Sequence, residues 1–113
     1  GIGMSFPLRF PSGGRDKKSL MTLSRLMSSS PAVNFGLKNK GDILRGKDAD
    51  FFITDPSKQH LIRKTKPYGW SPYEGRKLAG FADVTIRRGE IIYQKGRLCA
   101  KRSSGKLIFR KLK

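Results

Sequence analysis

The chain has 113 residues, which limits it to one domain with a modest core, or part of one, and excludes a complete (β/α)8 barrel of about 250 residues. Its 25 Lys and Arg against 8 Asp and Glu leave a net charge of +17, which points to a polyanionic partner. Nucleic acid fits better than an anionic membrane, because the charge is spread along the chain and no helix pairs a basic face with a broad apolar one.

Residues 1–15, rich in Gly, Pro and Phe, read as an extended arm ending in the turn signal Ser12-Gly13-Gly14, and a single domain is expected over 16–113. The opening GIGMSFPLRF has neither a signal-peptide core nor an initiator Met, as expected of a start that is processed, trimmed or internal to a longer precursor. Leu20, Leu23, Leu26 and Met27, at three- and four-residue spacing, predict a helix from Ser19 to Met27, with Asp16 available as its N-cap. Ser30-Pro31 predicts a second helix start and Gly36 its left-handed end, so SPAVNFGL gives about two turns burying Val33, Phe35 or Leu37. From Ala49, ADFFITDP is an apolar strand bounded by Gly46 and Pro56. RKTKPYGWSPYEGRKLAG, from Arg63 to Gly80, has no period and reads as a long loop. DVTIRRGEIIYQKGRL alternates around Arg88-Gly89, the signal of a tight hairpin, and the closing KLIFRKLK is either one further strand or a tail. The fold class is therefore α+β: an extended N-terminal arm, two short helices and a small antiparallel β-sheet, with a basic tail over about 97–113. Cys99 is the single cysteine, so no intramolecular disulfide can form, and no apolar run approaches a membrane span.

One series of residues is more specific than these elements. Pro31-Ala32, Phe35-Gly36-Leu37, Lys40-Gly41-Asp42-Ile43, Gly46 and Asp48-Ala49-Asp50, followed by an apolar strand and Asp55-Pro56, resembles the C-terminal part of the cyclic amidohydrolases: dihydropyrimidinase, allantoinase and dihydroorotase. SPYEGRKLAG, VTIRRGEIIYQKGRL and SGKLIFRK carry the resemblance from about Leu20 to the end without separating the three subfamilies. It implies the last helices of a metal-dependent barrel and the C-terminal strands of the small β-sandwich beside it. It also implies that the family's metal ligands, a His-x-His pair, a carboxylated lysine, two further histidines and an aspartate, lie upstream of the portion represented here. The resemblance also implies that the family's substrate-binding loop begins at about GIGMSFPL, with its polar substrate-contacting residue falling near Gly3, which has no side chain to offer. The residues agree independently, since a catalytic zinc needs about three protein ligands and this chain has one histidine, His60, and one cysteine. His60 reads as a surface or partner-contacting residue and Cys99 as a half-buried residue of the last hairpin. The chain is thus expected to have no catalytic residue, no metal site and no cofactor of its own.

Two functional readings follow. In the first, the chain is a non-catalytic, amidohydrolase-derived structural protein that binds RNA by phosphate contacts, as a constituent of a ribosome, by analogy a mitochondrial one. The RNA-binding residues would be Arg63, Lys64, Lys66, Trp70, Arg76, Lys77, Arg87, Arg88, Arg97, Lys101, Arg102, Lys106, Arg110, Lys111 and Lys113, with rRNA and neighbouring proteins of a large particle as partners and no membrane. Tyr68, Trp70 and Tyr73 either stack on bases or pack onto the sandwich. In the second reading the chain is the C-terminal segment of a split or truncated hydrolase, and its partner is a chain carrying the missing barrel. That reading predicts an apolar face around Leu20, Leu23, Met27, Val33 and Phe35. A basic domain with an undefined protein partner is the plainest alternative, and in every case the helices from Leu20 to Leu37 expose apolar surface unless something covers it.

Overall fold

An aspartate starts the main helix of the chain. In the computed structural model, which describes residues 4–10, 16–63 and 69–110, Asp16 is in extended backbone and its carboxylate accepts a hydrogen bond from the Lys18 N–H at 3.1 Å and another from the Ser19 hydroxyl. These bonds satisfy donors that the first helical turn leaves free, and they hold the Asp16 carboxyl below its ordinary pKa. Helix α2, Lys17–Ser24, runs into a π turn, Arg25–Ser29, and on into α3, Ser30–Asn34. The two predicted helices are therefore one rod, and Ser30, at φ −63° and ψ −46°, is a helical residue rather than a cap. Pro31 explains the π turn: it has no N–H to donate, and its ring crowds the carbonyl one turn earlier, so the wider turn gives it room.

The rod ends as predicted at Gly36, with φ +67°. Gly36 N–H donates to the Val33 carbonyl at 3.1 Å and Leu37 N–H to the Ala32 carbonyl at 2.8 Å, the paired bonds of a Schellman cap. The face it buries matches the prediction only in part. Ala32 is buried and Leu37 half-buried, whereas Val33 and Phe35 are 74% and 61% exposed. Within the segment read as an extended arm, Ser5–Arg9 forms one short helix, α1. Aromatic packing selects it, because the Phe6 ring meets Phe52 edge-on at 4.9 Å and Phe10 at 5.5 Å. Residues 11–15, with the turn signal, lie outside the described residues.

The strands form two small antiparallel sheets. Strand β1, Phe51–Ile53, pairs with β4, Val84–Arg87; β4 pairs with β5, Glu90–Gln94; and β5 pairs with β6, Arg97–Leu98, giving the order β1-β4-β5-β6. Arg88 at φ +49° and Gly89 at φ +79° close the β4–β5 hairpin. Lys95 and Gly96, at φ +48° and +77°, close the next. Both turns place two central residues at positive φ, which twists with the strands. A bulge between Thr85 and Ile86 shifts the β4 register against β5. The predicted long loop is partly ordered by pairing: β2, His60–Leu61, and β3, Lys77–Leu78, form a two-stranded ladder extended by Ile62 N–H to the Arg76 carbonyl at 2.9 Å. Residues 104–110 form no strand, which settles KLIFRK as a tail within the described residues.

Packing between these layers is thin. Leu23, Ala32 and Ile62, with Pro7, are the buried apolar side chains among the described residues. Met21, Leu26, Met27, Val33 and Phe35 stay exposed along the rod, as expected if the rod lacks the surface it was built to pack on.

Candidate functional site

The loop after the rod carries a basic side chain into a carboxylate pair. The Schellman cap turns the chain so that Lys40 Nζ reaches Asp48 Oδ2 at 2.6 Å and Asp50. Burial works against charge on Lys40, but the hydrogen bonds it donates to the two carboxylates outweigh it and raise its pKa above the ordinary lysine value. Burial likewise works against charge on Asp50. Its bonds with Lys40 and with the Arg88 N–H, which donates to Asp50 Oδ1 at 2.7 Å, win, and its pKa falls. Gly89 N–H donates to the Ala49 carbonyl at 3.1 Å, so the tip of the β4–β5 hairpin is held against the Asp48–Asp50 segment by main chain and side chain together.

The hairpin in turn grips the tail. Arg87 donates to Ser104 Oγ at 2.6 Å and Arg88 to the Ser104 carbonyl at 2.7 Å. On the other side of the loop, Lys47 Nζ donates to the Lys38 carbonyl at 2.7 Å and the Lys40 carbonyl at 3.3 Å. Ser29 donates from the π turn to Asp42 Oδ1 at 2.8 Å. Gly41, at φ +93°, lets the loop touch the rod where a side chain would collide with Ala32. The result is a latch that ties rod, loop, hairpin and tail. It is a positioning device: Lys40, Asp48 and Asp50 pair with one another, and the arginines and serines around them hold segments together.

The donor set does not fit a metal ion. Among the described residues no group of three His, Cys, Asp or Glu side chains converges. His60 lies exposed on β2 with its ring against Phe81 at 5.0 Å, and Cys99 is exposed rather than half-buried. Gly3 lies outside the described residues. No step of metal chemistry is assigned to these residues.

Of the residues proposed from sequence as a phosphate-binding set, Arg63, Arg76, Lys77, Arg97, Lys101, Arg102, Lys106 and Arg110 are exposed. Arg87 and Arg88 are half-buried, and each donates one hydrogen bond to Ser104. Trp70 is 68% exposed, Tyr73 is half-buried, and Lys64, Lys66, Tyr68, Lys111 and Lys113 lie outside the described residues. What sequence reasoning missed is the latch. Lys40, Asp48 and Asp50 stood out only as a recurring order, and the one available signal of their role was the close placement of a lysine and two acids around Gly46.

Comparison with known proteins accounts for that order. No protein-family model matches the chain. The dihydroorotase of Pyrococcus furiosus is 32% identical over 111 residues, 96% of this chain and 27% of that protein. The allantoinase of Rubrobacter xylanophilus is 38% identical over 79 residues, 67% of this chain and 17% of that protein. Among solved structures, L-hydantoinase (dihydropyrimidinase) from Arthrobacter aurescens superposes with a TM-score of 0.84 at 27% identity, over 97% of this chain and 26% of that one. D-hydantoinase (dihydropyrimidinase) from a Thermus species gives 0.83 at 26% identity, over 97% and 25%. The chain thus spans about a quarter of the length of these relatives. The matches overturn the expectation of an RNA-binding ribosomal protein of the mitochondrion, because the basic loop, hairpin and tail align and superpose as parts of enzymes. The physical reason the sequence misled is that net charge counts every Lys and Arg alike, while Lys40, Lys47, Lys58, Arg87 and Arg88 engage internal carbonyls, carboxylates and the Ser104 hydroxyl.

Proposed function

Because the chain belongs to the cyclic amidohydrolase family and corresponds to its C-terminal part, we propose that it acts as the C-terminal segment of a metal-dependent hydrolase that opens a cyclic amide. The rod, from Lys17 to Asn34, packs on the metal-binding portion of the enzyme, which corresponds to the other three-quarters of the relatives' length and lies on the same or another polypeptide. The latch fixes the angle between that rod and the β-sandwich strands. From residue 16 onward the segment acts as one unit.

The observation that carries this reading is the uncovered rod. Met21, Leu26, Met27, Val33 and Phe35 are apolar, exposed and on an element that is otherwise well capped at both ends. The chain's accessible surface is 9550 Å², against about 6,200 Å² for a folded monomer of this mass. The excess of about 3,300 Å² is surface that a folded monomer of this mass ordinarily buries. A chain that functioned alone would have no reason to leave its best-formed helix bare.

Purification of the native protein tests the proposal, with dihydroorotate, allantoin, dihydrouracil and hydantoin assayed across the fractions. Ring-opening activity should co-elute with this chain and with histidine-bearing sequence from the metal-binding portion. Elution as a lone chain of this length, with slow amide exchange along the rod, would overturn it.

A further inference from the structure

The tail beyond the latch has an unusual combination of features. Ser104 is clamped by Arg87 and Arg88, which fixes where the tail starts. From Gly105 to Arg110 the chain is neither helix, strand nor turn, and among the described residues none of its N–H or carbonyl groups has a main-chain partner. Exposure along it alternates: Leu107 80%, Ile108 48%, Phe109 82%. That is the period of an extended strand with one apolar face turned outward. Lys106 and Arg110 lie with Ile108 on the other face of this strand, and no acidic residue occurs after Glu90. Residues Lys106 to Phe109 form one side of a cleft of about 560 Å³ whose other side is formed by Gly36, Lys38, Lys40, Asp48 and Arg88.

We infer that residues 105–110 are a docking strand that pairs with a free sheet edge on the metal-binding portion of the same enzyme, at a surface with apolar sockets and carboxylates. This deepens the reading of the preceding section and rests on it. Strand addition supplies the main-chain bonds that the tail lacks, Leu107 and Phe109 supply side-chain burial, and Lys106 and Arg110 select an acidic rim. Charge decides the occupant. A second copy of this chain would bring +17 against +17 with only 8 acidic residues to offer, so like-charge repulsion disfavours it.

The test uses the native protein purified above. A zero-length carbodiimide cross-linker joins lysines only to carboxylates in contact, and mixing isotopically light and heavy preparations separates contacts within one molecule from those between copies. Lys106 should cross-link to Asp or Glu in the metal-binding portion. Amide exchange should be slowed at alternating positions from 106 to 110 by at least a hundredfold relative to unpaired chain, and Leu107→Ser with Phe109→Ser should erase that protection. Cross-links confined to Asp48 would mean that the tail closes on its own cleft, and cross-links between copies would mean self-association. Either overturns the inference, as does fast exchange throughout the tail. If the metal-binding portion is present while the tail exchanges freely, this inference alone fails. If that portion is missing, the proposed function fails with it.

Discussion

Replacing Asp50 with Ala removes the centre of the latch and should be felt first at one backbone amide. Asp50 accepts from Lys40 and, at 2.7 Å, from the Arg88 N–H. Hydrogen bonds to a charged group contribute about 1.5–3 kcal/mol when well shielded. Asp50 is 31% exposed on its side chain, so solvent screening brings the local effect to the lower end, about 1.5 kcal/mol. That corresponds to roughly tenfold faster exchange of the Arg88 amide. The Gly89 amide should accelerate with it, since its bond to the Ala49 carbonyl is held by the same contact. The assay is native-state amide exchange read residue by residue, with Asp50→Asn as a comparison that keeps an acceptor oxygen and should fall between. The pH dependence has a definite sign. The Asp50 pKa is depressed in the folded chain, so its contribution is present above its ordinary value of 3.8 and is lost as pH falls through the lower folded value. The Lys40 pKa is raised, so its contribution is present below 10.5 and is lost as pH rises through the higher folded value. Between those limits Arg88 protection should be flat with pH. Unchanged Arg88 exchange in Asp50→Ala would refute the latch.

Three further substitutions probe the elements that the latch joins. Gly41→Ala puts a Cβ at 2.5 Å from Ala32 Cβ and in a backbone with φ +93°, and thermal melting of the native protein should show a loss of at least about 2 kcal/mol. Asp16→Ala removes the N-cap of the rod and should lower stability by about 1 kcal/mol, with exchange accelerated at Lys18 and Ser19 before the rest of the helix. Lys95→Asn should act in the other direction, by about 0.5 kcal/mol in the same melting experiment, because Asn tolerates the left-handed φ of +48° that Lys adopts at strain in the second hairpin.

Local chemistry was legible in the sequence wherever one residue type has one dominant use. Asp16 before a periodic apolar run, Gly36 after it and Arg88-Gly89 between alternating segments each act where the sequence places them. Burial was less legible, because the period of an apolar face does not say which surface covers it. Leu23 and Ala32 found cover within the chain, whereas Val33 and Phe35 did not. Pro31 misled for a related reason: a proline after a serine reads as a helix start, and only the preceding π turn reveals that the helix passes through it. The latch was least legible. Lys40, Asp50, Arg88 and Ser104 come from four segments up to 64 positions apart in sequence, and pairing of that kind depends on register, which composition does not carry. The order of Lys40, Asp48 and Asp50 still carried information about family, because a loop that must meet both a rod and a hairpin tolerates few other arrangements.

The distribution of charge completes the argument for an incomplete surface. A chain with few buried apolar side chains holds its segments together in another way, and here lysines and arginines supply it by donating to internal oxygens: Lys47 to the Lys38 and Lys40 carbonyls, Lys58 to the Asp83 carboxylate, Arg87 to the Ser104 hydroxyl and Arg88 to the Ser104 carbonyl. Such contacts order loops but contribute little net stability when partly exposed. On the proposed function, burying the rod supplies stability that these contacts do not. Closing that apolar face against a neutral surface would leave the remaining basic side chains repelling one another. An acidic face on the metal-binding portion would bury the rod and offset the charge in the same step. The two surplus features of this chain, bare apolar area and unbalanced positive charge, thus specify one complementary surface rather than two.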